Sequence, residues 1–282
     1  AGESGCGKTT TALSIIRLLP HNGRIVGGSI SYDGRDLATL KESELRRIRW
    51  KHISIVFQGA MNALNPVRRV DWQIAEAIAL HDHVGMDDAQ VRVDELLELV
   101  GINPARKHDY PHEFSGGMRQ RVMIAMALAC EPKIIIADEP VTALDVIVQH
   151  QVLRTLRDLR EALGVSLLLI THDISVVAHL CDDVAVMYAG RIVEWGPVAE
   201  VFARPRHPYT MGLRNAFPSL RARQDHLVPI EGYPPDLATP QAALARISAD
   251  VGIVVGSAAP LLAEAARAAG VEIEHALPRL EP

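Results

Sequence analysis

The sequence predicts an α/β protein with a mostly parallel sheet. Apolar runs at residues 53–57, 133–137, 165–170 and 184–187 have the composition of strands, and apolar residues recur at helical spacing between them. Strands that alternate with helices form parallel sheets joined by right-handed crossovers. The run at 133–137 contains three consecutive isoleucines, which is typical of a strand buried on both faces.

The first residues of the chain match the P-loop pattern G-x-x-x-x-G-K-[ST] at every fixed position, and a helix is predicted over 10–19. Glycines let the backbone turn its N–H groups around a polyphosphate, and a following helix adds the positive end of its dipole. Lys8 supplies a charge for the β and γ phosphates, and the Thr9 hydroxyl can bind Mg²⁺. The residues expected to line this phosphate site are Gly2, Glu3, Ser4, Gly5, Cys6, Gly7, Lys8, Thr9 and Thr10.

Three smaller features follow in the chain. A glycine-punctuated stretch at 25–36 predicts a small antiparallel β subdomain, with a turn at Asp33-Gly34. Gln58 follows the strand at 53–57, at the end where ligands gather in open α/β sheets, although a lone glutamine is equally typical of a loop. A mostly helical region then extends over about 66–125.

Inside the helical region, Ser115, Gly116 and Gly117 precede an apolar helical pattern. Serine is a natural N-cap, and glycines leave backbone N–H groups accessible at the start of a helix. Such a start attracts anions, although Ser-Gly-Gly before a helix is common in proteins without any ligand there.

Two carboxylates, Asp138 and Glu139, end the buried strand at 133–137. Paired acids at a strand end are often solvated loop charges, but here a P-loop is present to receive them. We expect Asp138 to hold Mg²⁺ and Glu139 to orient or deprotonate an attacking water.

Composition limits the class of protein. The chain has 282 residues, a net charge of −5 and three cysteines (Cys6, Cys130 and Cys181). The negative charge argues against a nucleic-acid partner held by bulk electrostatics. The widely spaced cysteines predict neither a disulfide framework nor a zinc site. No uninterrupted apolar run is long enough to predict a membrane span.

The two ends of the chain lead to separate expectations. The P-loop normally follows a strand, so we expect this sequence to be a fragment that lacks that strand and an upstream aromatic residue to stack on adenine. The proline-rich stretch from 204 to 240 predicts a linker and an irregular appendage. Residues 241–282 have no chemistry that the sequence identifies.

Taken in order, these stretches resemble the ATP-binding subunit of ABC transporters over roughly residues 1–200. The P-loop, Gln58 as Q-loop, the signature Ser115-Gly116-Gly117 and Walker B at 134–139 are followed by a D-loop at 143–145 and by His172 as switch histidine. The resemblance implies that two such domains close head to tail, with each ATP between one P-loop and the other signature helix. The resemblance implies that Glu139, His172 and Gln58 take part in catalysis. It implies that the nucleotide is contacted by the P-loop residues and also by Ser115, Gly116, Gly117 and Asp145. Mg²⁺ would be bound by Thr9, Gln58 and Asp138.

The runs at 187–194 and 206–210 resemble, more narrowly, the oligopeptide, dipeptide and nickel importers. This resemblance implies an ABC domain over 1–203, with its helical subdomain at about 66–125, and a transporter-type extension over 204–282 that diverges after about 240. It implies a second ATPase subunit, identical or not, two membrane permease subunits and, indirectly, an extracytoplasmic solute-binding protein. The chain would lie peripherally on the cytoplasmic face of the inner membrane.

Other functions fit the same motifs less well. Another solute, such as an oligosaccharide, would need the same ATPase. An ABC ATPase of DNA repair or chromosome structure would have a long coiled-coil or zinc insertion between Gln58 and Ser115, and this segment has neither heptads nor a Cys-x-x-Cys pair. An inactive nucleotide-binding module would lack catalytic residues that this chain retains. Two departures from the family are Val141, where threonine is common, and the lack of the cysteine-rich segment that often follows 234–237.

Overall fold

A computed structural model of the chain describes residues 1–59 and 63–216, together with the backbone of residues 271 and 272. We expected the sequence to diverge from the transporter family after about residue 240. That segment lies outside the described residues, apart from residues 271 and 272. The described chain forms two compact units, residues 40–170 and residues 1–39 with the chain from 171 onward.

The helices and strands of both units are numbered in chain order. They are α1 (Lys8–Ile15), β1 (Ser31–Tyr32), β2 (Arg35–Asp36), α2 (Glu42–Ile48), β3 (Ile53–Val56), α3 (Val70–Asp82), α4 (Met86–Leu99), α5 (Gly116–Leu128), β4 (Ile134–Asp138), α6 (Val146–Leu163), β5 (Ser166–Ile170), α7 (Ile174–Leu180), β6 (Asp183–Tyr188), β7 (Arg191–Pro197), α8 (Val198–Ala203), α9 (Pro208–Asn215) and β8 (Val271–Glu272).

The unit of residues 40–170 is built on a parallel sheet in the order β3-β4-β5. Every residue of the central strand β4 is buried, as its β-branched composition predicts. The register sets Val56 beside Ala137, and Ala137 beside Leu169. The carboxyl ends of the three strands therefore meet at one edge of the sheet, which is where ligands gather in such folds.

Helices of the same unit pack through continuous apolar faces. Buried aliphatic side chains of α3, α4 and α5 form the apolar core of the helical part, including Ile74, Val93, Leu96, Leu97 and Ile124. Helix α6 buries Val152, Leu156 and Leu159 at helical spacing and ends at Gly164, which has a left-handed backbone. The predicted helical region thus contains three helices, with two short 3₁₀ turns between α4 and α5.

In the other unit, helix α1 begins after Gly7 and ends at Ile15. The sequence predicted that it would reach residue 19. Arg17 instead takes a left-handed backbone with φ of 50°, and the Leu18 N–H donates to the Leu13 carbonyl, which closes the helix early. The β1–β2 hairpin turns at Asp33 and Gly34, as predicted, and β8 pairs antiparallel with β1.

Strand β6 corrects another expectation. The sequence placed residues 184–187 in the parallel alternation, but β6 pairs antiparallel with β7 through a two-residue turn at Ala189 and Gly190. Ala1 lies alongside β6 as well: its amine donates to the Ala185 carbonyl at 2.6 Å, and the Met187 N–H donates to the Ala1 carbonyl at 2.7 Å.

Helix α9 forms inside the stretch that was expected to be irregular. Its Tyr209 and Leu213 are buried in one apolar cluster with residues of α7, β6 and α8, among them Val177, Val186 and Val201. Within the described residues, no helix is both long enough and apolar enough to cross a membrane.

Candidate active site

The P-loop is a tight turn between Ala1 and helix α1. Gly7 is the N-cap of α1 and has a left-handed backbone with φ of 101°, a conformation that residues with a side chain seldom adopt. It supplies no side-chain cap, and the first N–H groups of a helix have no intrahelical acceptor. The loop therefore ends in a cluster of backbone donors at the positive end of a helix.

Lys8 is buried within the loop that it follows. Its ammonium donates to the Gly2 carbonyl at 2.6 Å and to the Glu3 carbonyl at 2.7 Å. Position 2 requires a glycine, because a Cβ there would lie 2.2 Å from the Met187 carbonyl oxygen. The loop is further tied to the β6–β7 turn by a bond from the Gly190 N–H to the Cys6 carbonyl at 3.0 Å.

This set of donors suits a polyphosphate. A lysine ammonium and the free N–H groups of a helix start are the two kinds of group that bind phosphate oxygens in such loops. Ser4, Gly5, Thr9 and Thr10 are exposed beside them, while Cys6 is buried behind the loop. The hydroxyl of Thr9 is thus accessible to a ligand.

A second cluster surrounds Glu139 in the unit of residues 40–170. Glu139 follows β4, has a left-handed backbone with φ of 46° and is 8% exposed. Its N–H donates to the Ile170 carbonyl at 2.8 Å, which holds the residue at the end of β5. One carboxylate oxygen, Oε2, accepts from Gln58 Nε2 and from the Thr142 hydroxyl, each at 2.9 Å.

This cluster brings together Gln58 and Glu139, which lie in separate stretches of the sequence. Gln58 lies just beyond β3 and Glu139 just beyond β4, and the neighbouring strands deliver them to one edge of the sheet. Asp138, the last residue of β4, is 1% exposed beside them. Val141, where the family commonly has threonine, is buried, so an apolar side chain is compatible with its position.

Two helix starts of the same unit also meet. The Ser115 hydroxyl caps α5 by accepting from the Met118 N–H at 3.3 Å. The Asp145 carboxylate caps α6 by accepting from the Val148 N–H at 3.0 Å. A Cβ on Gly117 would lie 2.1 Å from Val148 Cγ1, so the two helices touch just behind their caps.

His172 lies in the other unit, in the turn between β5 and α7, and is exposed. The turn is ordered by its neighbours. Thr171 is buried and its hydroxyl accepts from the Asp173 N–H at 3.0 Å. Asp173 in turn caps α7 through the Ser175 N–H at 2.8 Å. The histidine is thus presented by a fixed backbone.

Comparison with known proteins places this chain among ATP-binding cassettes. Residues 1–142 match the ABC transporter family, and residues 193–243 match the C-terminal region of oligopeptide/dipeptide transporters. A probable peptide ABC transporter ATP-binding protein of Sinorhizobium fredii is 51% identical over 85% of this chain and 72% of its own length. The oligopeptide transport ATP-binding protein OppD of Bacillus subtilis is 49% identical over 85% of this chain and 68% of its own.

This chain belongs to the ABC transporter family. The fold agrees: a dimeric structure of a bacterial ABC transporter cassette superimposes with a TM-score of 0.62 and 29% identity, covering 70% of this chain and 83% of that one. A cassette bound to ADP and phosphate superimposes with a TM-score of 0.61, at the same identity and coverage. The resemblance inferred from the motifs is confirmed, and so is the α/β fold with its mostly parallel sheet.

Membership of the ABC family makes the chain an ATP-binding ATPase. Of its expected site residues, the P-loop and His172 belong to one unit, and Gln58, Ser115, Asp138, Glu139 and Asp145 to the other. Sequence reasoning missed Thr142. Its hydroxyl reaches Glu139 because the chain turns after β4, where the Thr142 N–H donates to the Glu139 carbonyl at 3.2 Å. Pro140, the second residue of this turn, marks the turn in the sequence but does not show that the two side chains bond.

Proposed function

We propose that this ABC ATPase powers the import of di- and oligopeptides. The observation that carries the proposal is the match of residues 193–243 to the C-terminal region of oligopeptide/dipeptide transporters, beside relatives that are named for peptide transport. The ATPase core by itself supports no particular solute. Import of nickel or of an oligosaccharide is the alternative that the experiment below distinguishes.

Such a subunit works in an assembly. We infer a second ATPase subunit, two membrane permease subunits at the cytoplasmic face of the inner membrane and, through them, an extracytoplasmic solute-binding protein. The dimeric form of similar cassettes supports the second subunit. So does the start of α6, where Val146 and Ile147 are 79% and 73% exposed next to Asp145. Adjacent apolar residues left in water favour a covering partner.

ATP binding is assigned to the P-loop. Lys8 would exchange its bonds to the Gly2 and Glu3 carbonyls for the β and γ phosphates, and the N–H groups at the start of α1 would bind phosphate oxygens. Ser115, Gly116 and Gly117 would bind the γ-phosphate of the nucleotide held by the partner subunit. Their helix start, capped by Ser115, offers N–H donors of the same kind.

Thr9, Gln58 and Asp138 would hold Mg²⁺, because each carries an oxygen atom and Mg²⁺ is a hard cation that binds oxygen ligands. When bound, the ion neutralises negative charge on the phosphates. Asp138 is suited to this role because β4 holds it rigidly at the end of a buried strand. Gln58 lies just beyond β3, and Asp138 is the last residue of the neighbouring strand β4.

Glu139 is assigned to the attacking water. Two neutral donors, Gln58 and Thr142, bond the same oxygen, Oε2, and so fix the plane of the carboxylate. The other oxygen would accept a proton from the water or orient it. His172 would contact the γ-phosphate, and Asp145 would act across the subunit interface.

The test separates ATP binding, hydrolysis and solute. The chain is assembled with its permease subunits and solute-binding protein in vesicles, and ATPase and uptake of labelled peptide are measured. Glu139→Gln should bind ATP normally while hydrolysis falls by about 10²- to 10⁴-fold, the usual contribution of a positioned base. Lys8→Ala should weaken ATP binding itself, because it removes contacts to the ground-state phosphates.

A matched control is Glu98→Gln, at an exposed position on α4, which should leave hydrolysis unchanged. Normal turnover by Glu139→Gln would contradict the role of Glu139. Uptake of nickel or of an oligosaccharide, without uptake of peptide, would replace the proposed solute while leaving the ATPase assignment in place.

A further inference from the structure

Helix α9 is bonded directly to the P-loop. The Tyr209 hydroxyl accepts a hydrogen bond from the Glu3 N–H at 2.9 Å, although 206 positions separate the two residues in sequence. Both residues belong to the same compact unit. Tyr209 lies in the region shared with oligopeptide/dipeptide transporters and outside the part that matches the general ABC family. A residue of the transporter-specific region therefore contacts the loop assigned to ATP.

The start of α9 is fixed in a way that directs Tyr209 inward. Glu194 of β7 is buried, and its carboxylate accepts from the Arg206 N–H at 2.8 Å and from the His207 N–H at 3.0 Å. His207 caps the helix, because its Nδ1 accepts from the Tyr209 N–H at 3.1 Å. Pro208 occupies the first helical position, where its fixed φ suits a helix start. Few alternative positions remain for the Tyr209 ring.

The ring is also held by packing. Tyr209 is 4% exposed, and its ring lies 4.6 Å from that of Tyr188, between centroids. Burial raises the pKa of the Tyr209 phenol, so the group stays protonated throughout the physiological range. A protonated hydroxyl can accept from Glu3 and still donate elsewhere. The Glu3 N–H is held by the phenol oxygen, because the aromatic ring alone offers no comparable acceptor.

Glu3 is bonded on both sides. Its N–H is held by Tyr209, and its carbonyl accepts from the Lys8 ammonium at 2.7 Å. We propose that Tyr209 is a positioning residue for ATP binding: its hydroxyl fixes the Glu3 peptide, and through it the part of the P-loop that holds Lys8. The transporter-specific region thus contributes to nucleotide affinity. The inference rests on ATP binding at the P-loop.

The decisive variant is Tyr209→Phe in the complete natural polypeptide. It keeps the ring and removes only the acceptor of the Glu3 N–H. We expect KM for ATP and Kd for Mg-ATP to rise about threefold to tenfold, the range for loss of one hydrogen bond to a buried group. The value of kcat should stay within about twofold, because Glu139 and its partners are untouched.

Leu213→Val is the matched structural control. It trims the same helix in the same apolar cluster but leaves the hydroxyl in place. It should lower Tm and leave KM for ATP unchanged. An equal rise of KM in Leu213→Val at a similar loss of Tm would overturn the inference, and so would an unchanged KM in Tyr209→Phe. Failure of the unmodified protein to bind ATP would instead contradict the proposed function.

A second variant covers the case in which Tyr209→Phe does not fold. Glu194→Gln leaves one oxygen to accept from Arg206 and His207, so the start of α9 loosens while Tyr209 is retained. KM for ATP should then rise about twofold to fivefold, less than for loss of the hydroxyl. An unchanged KM in a folded Glu194→Gln protein would also refute the inference.

Discussion

The contact between α5 and α6 gives the sharpest test of the packing behind the signature sequence. Replacing Gly117 by alanine places a Cβ 2.1 Å from Val148 Cγ1. Carbon atoms attract best at about 3.5–4.0 Å, so roughly 1.5 Å of overlap must be relieved. A valine in a helix has one strongly preferred rotamer, and turning Val148 away costs energy. Moving the helices apart opens a void instead.

Overpacking of this kind costs about 1–3 kcal/mol, and we expect that loss in the free energy of unfolding of Gly117→Ala. Chemical denaturation measures it. Val148→Ala removes the clashing methyl, so the double variant should regain most of the loss, with a coupling energy of at least about 1 kcal/mol. Gly85→Ala is the steric control: its Cβ would lie an ordinary 3.6 Å from Asp88, so the only loss expected is the small one from replacing glycine by alanine at the N-cap of α4.

ATPase measurements on the same variants divide two roles of Gly117. If the glycine is needed only for packing, the double variant recovers both stability and hydrolysis. If the phosphate held by the partner subunit must also come close to the Gly117 N–H, the double variant recovers stability but not hydrolysis. Unchanged stability of Gly117→Ala, or no recovery on adding Val148→Ala, would refute the steric reasoning.

Two further predictions concern the carboxylate cluster and the first residue. Thr142→Val removes the hydroxyl that donates to Glu139 and should lower kcat about threefold to tenfold with KM unchanged, whereas Thr142→Ser should remain near the original rate. In a polypeptide that begins at Ala1, burial lowers the pKa of its amine from 8.0 to about 6. Up to about 3 kcal/mol of stability is then present above pH 8 and lost as the pH falls through 6.

Each of these two predictions has a direct check. Full kcat in Thr142→Val would contradict the first prediction, because it would show that the Thr142 bond is not needed to hold the carboxylate. For the amine, unfolding is measured from pH 8.5 to 5.5 with the N-terminus free and acetylated. Acetylation removes the titrating group, so the two forms should differ in slope over this range, and equal slopes would contradict the burial argument.

The parallel sheet was predictable because its strands have a local signature. Residues buried on both faces must be apolar throughout, and the isoleucines of β4 meet that condition without reference to the rest of the chain. The β6–β7 hairpin was not predictable in this way. Its turn places Ala189 at φ of 49° before Gly190, where asparagine or aspartate would have marked a two-residue turn. Strand β6 alone has the apolar run of any buried strand.

Helix α9 escaped prediction for a related reason. Prolines in a polar stretch usually indicate a loop, but Pro208 occupies the first turn of a helix, where proline is favoured. The cap that makes this helix start stable is His207, and its backbone is anchored by Glu194 from another strand. The bond to Glu194 joins residues 13 positions apart, so a rule that looks only at neighbouring residues does not detect it.

The residues of the candidate site also fall into two groups: those recognisable from consecutive residues and those brought together only by the fold. The P-loop could be recognised because its chemistry is contained in consecutive residues, whose backbone must turn around a phosphate. The partners of Glu139 could not, since Gln58 and Glu139 are brought together only by the pairing of β3 with β4. The bond from Glu3 to Tyr209 is the extreme case: a single hydroxyl from near the far end of the described chain sets one peptide of the P-loop. Sequence motifs therefore identify the groups proposed to bind ATP, while the groups that position them follow from the fold.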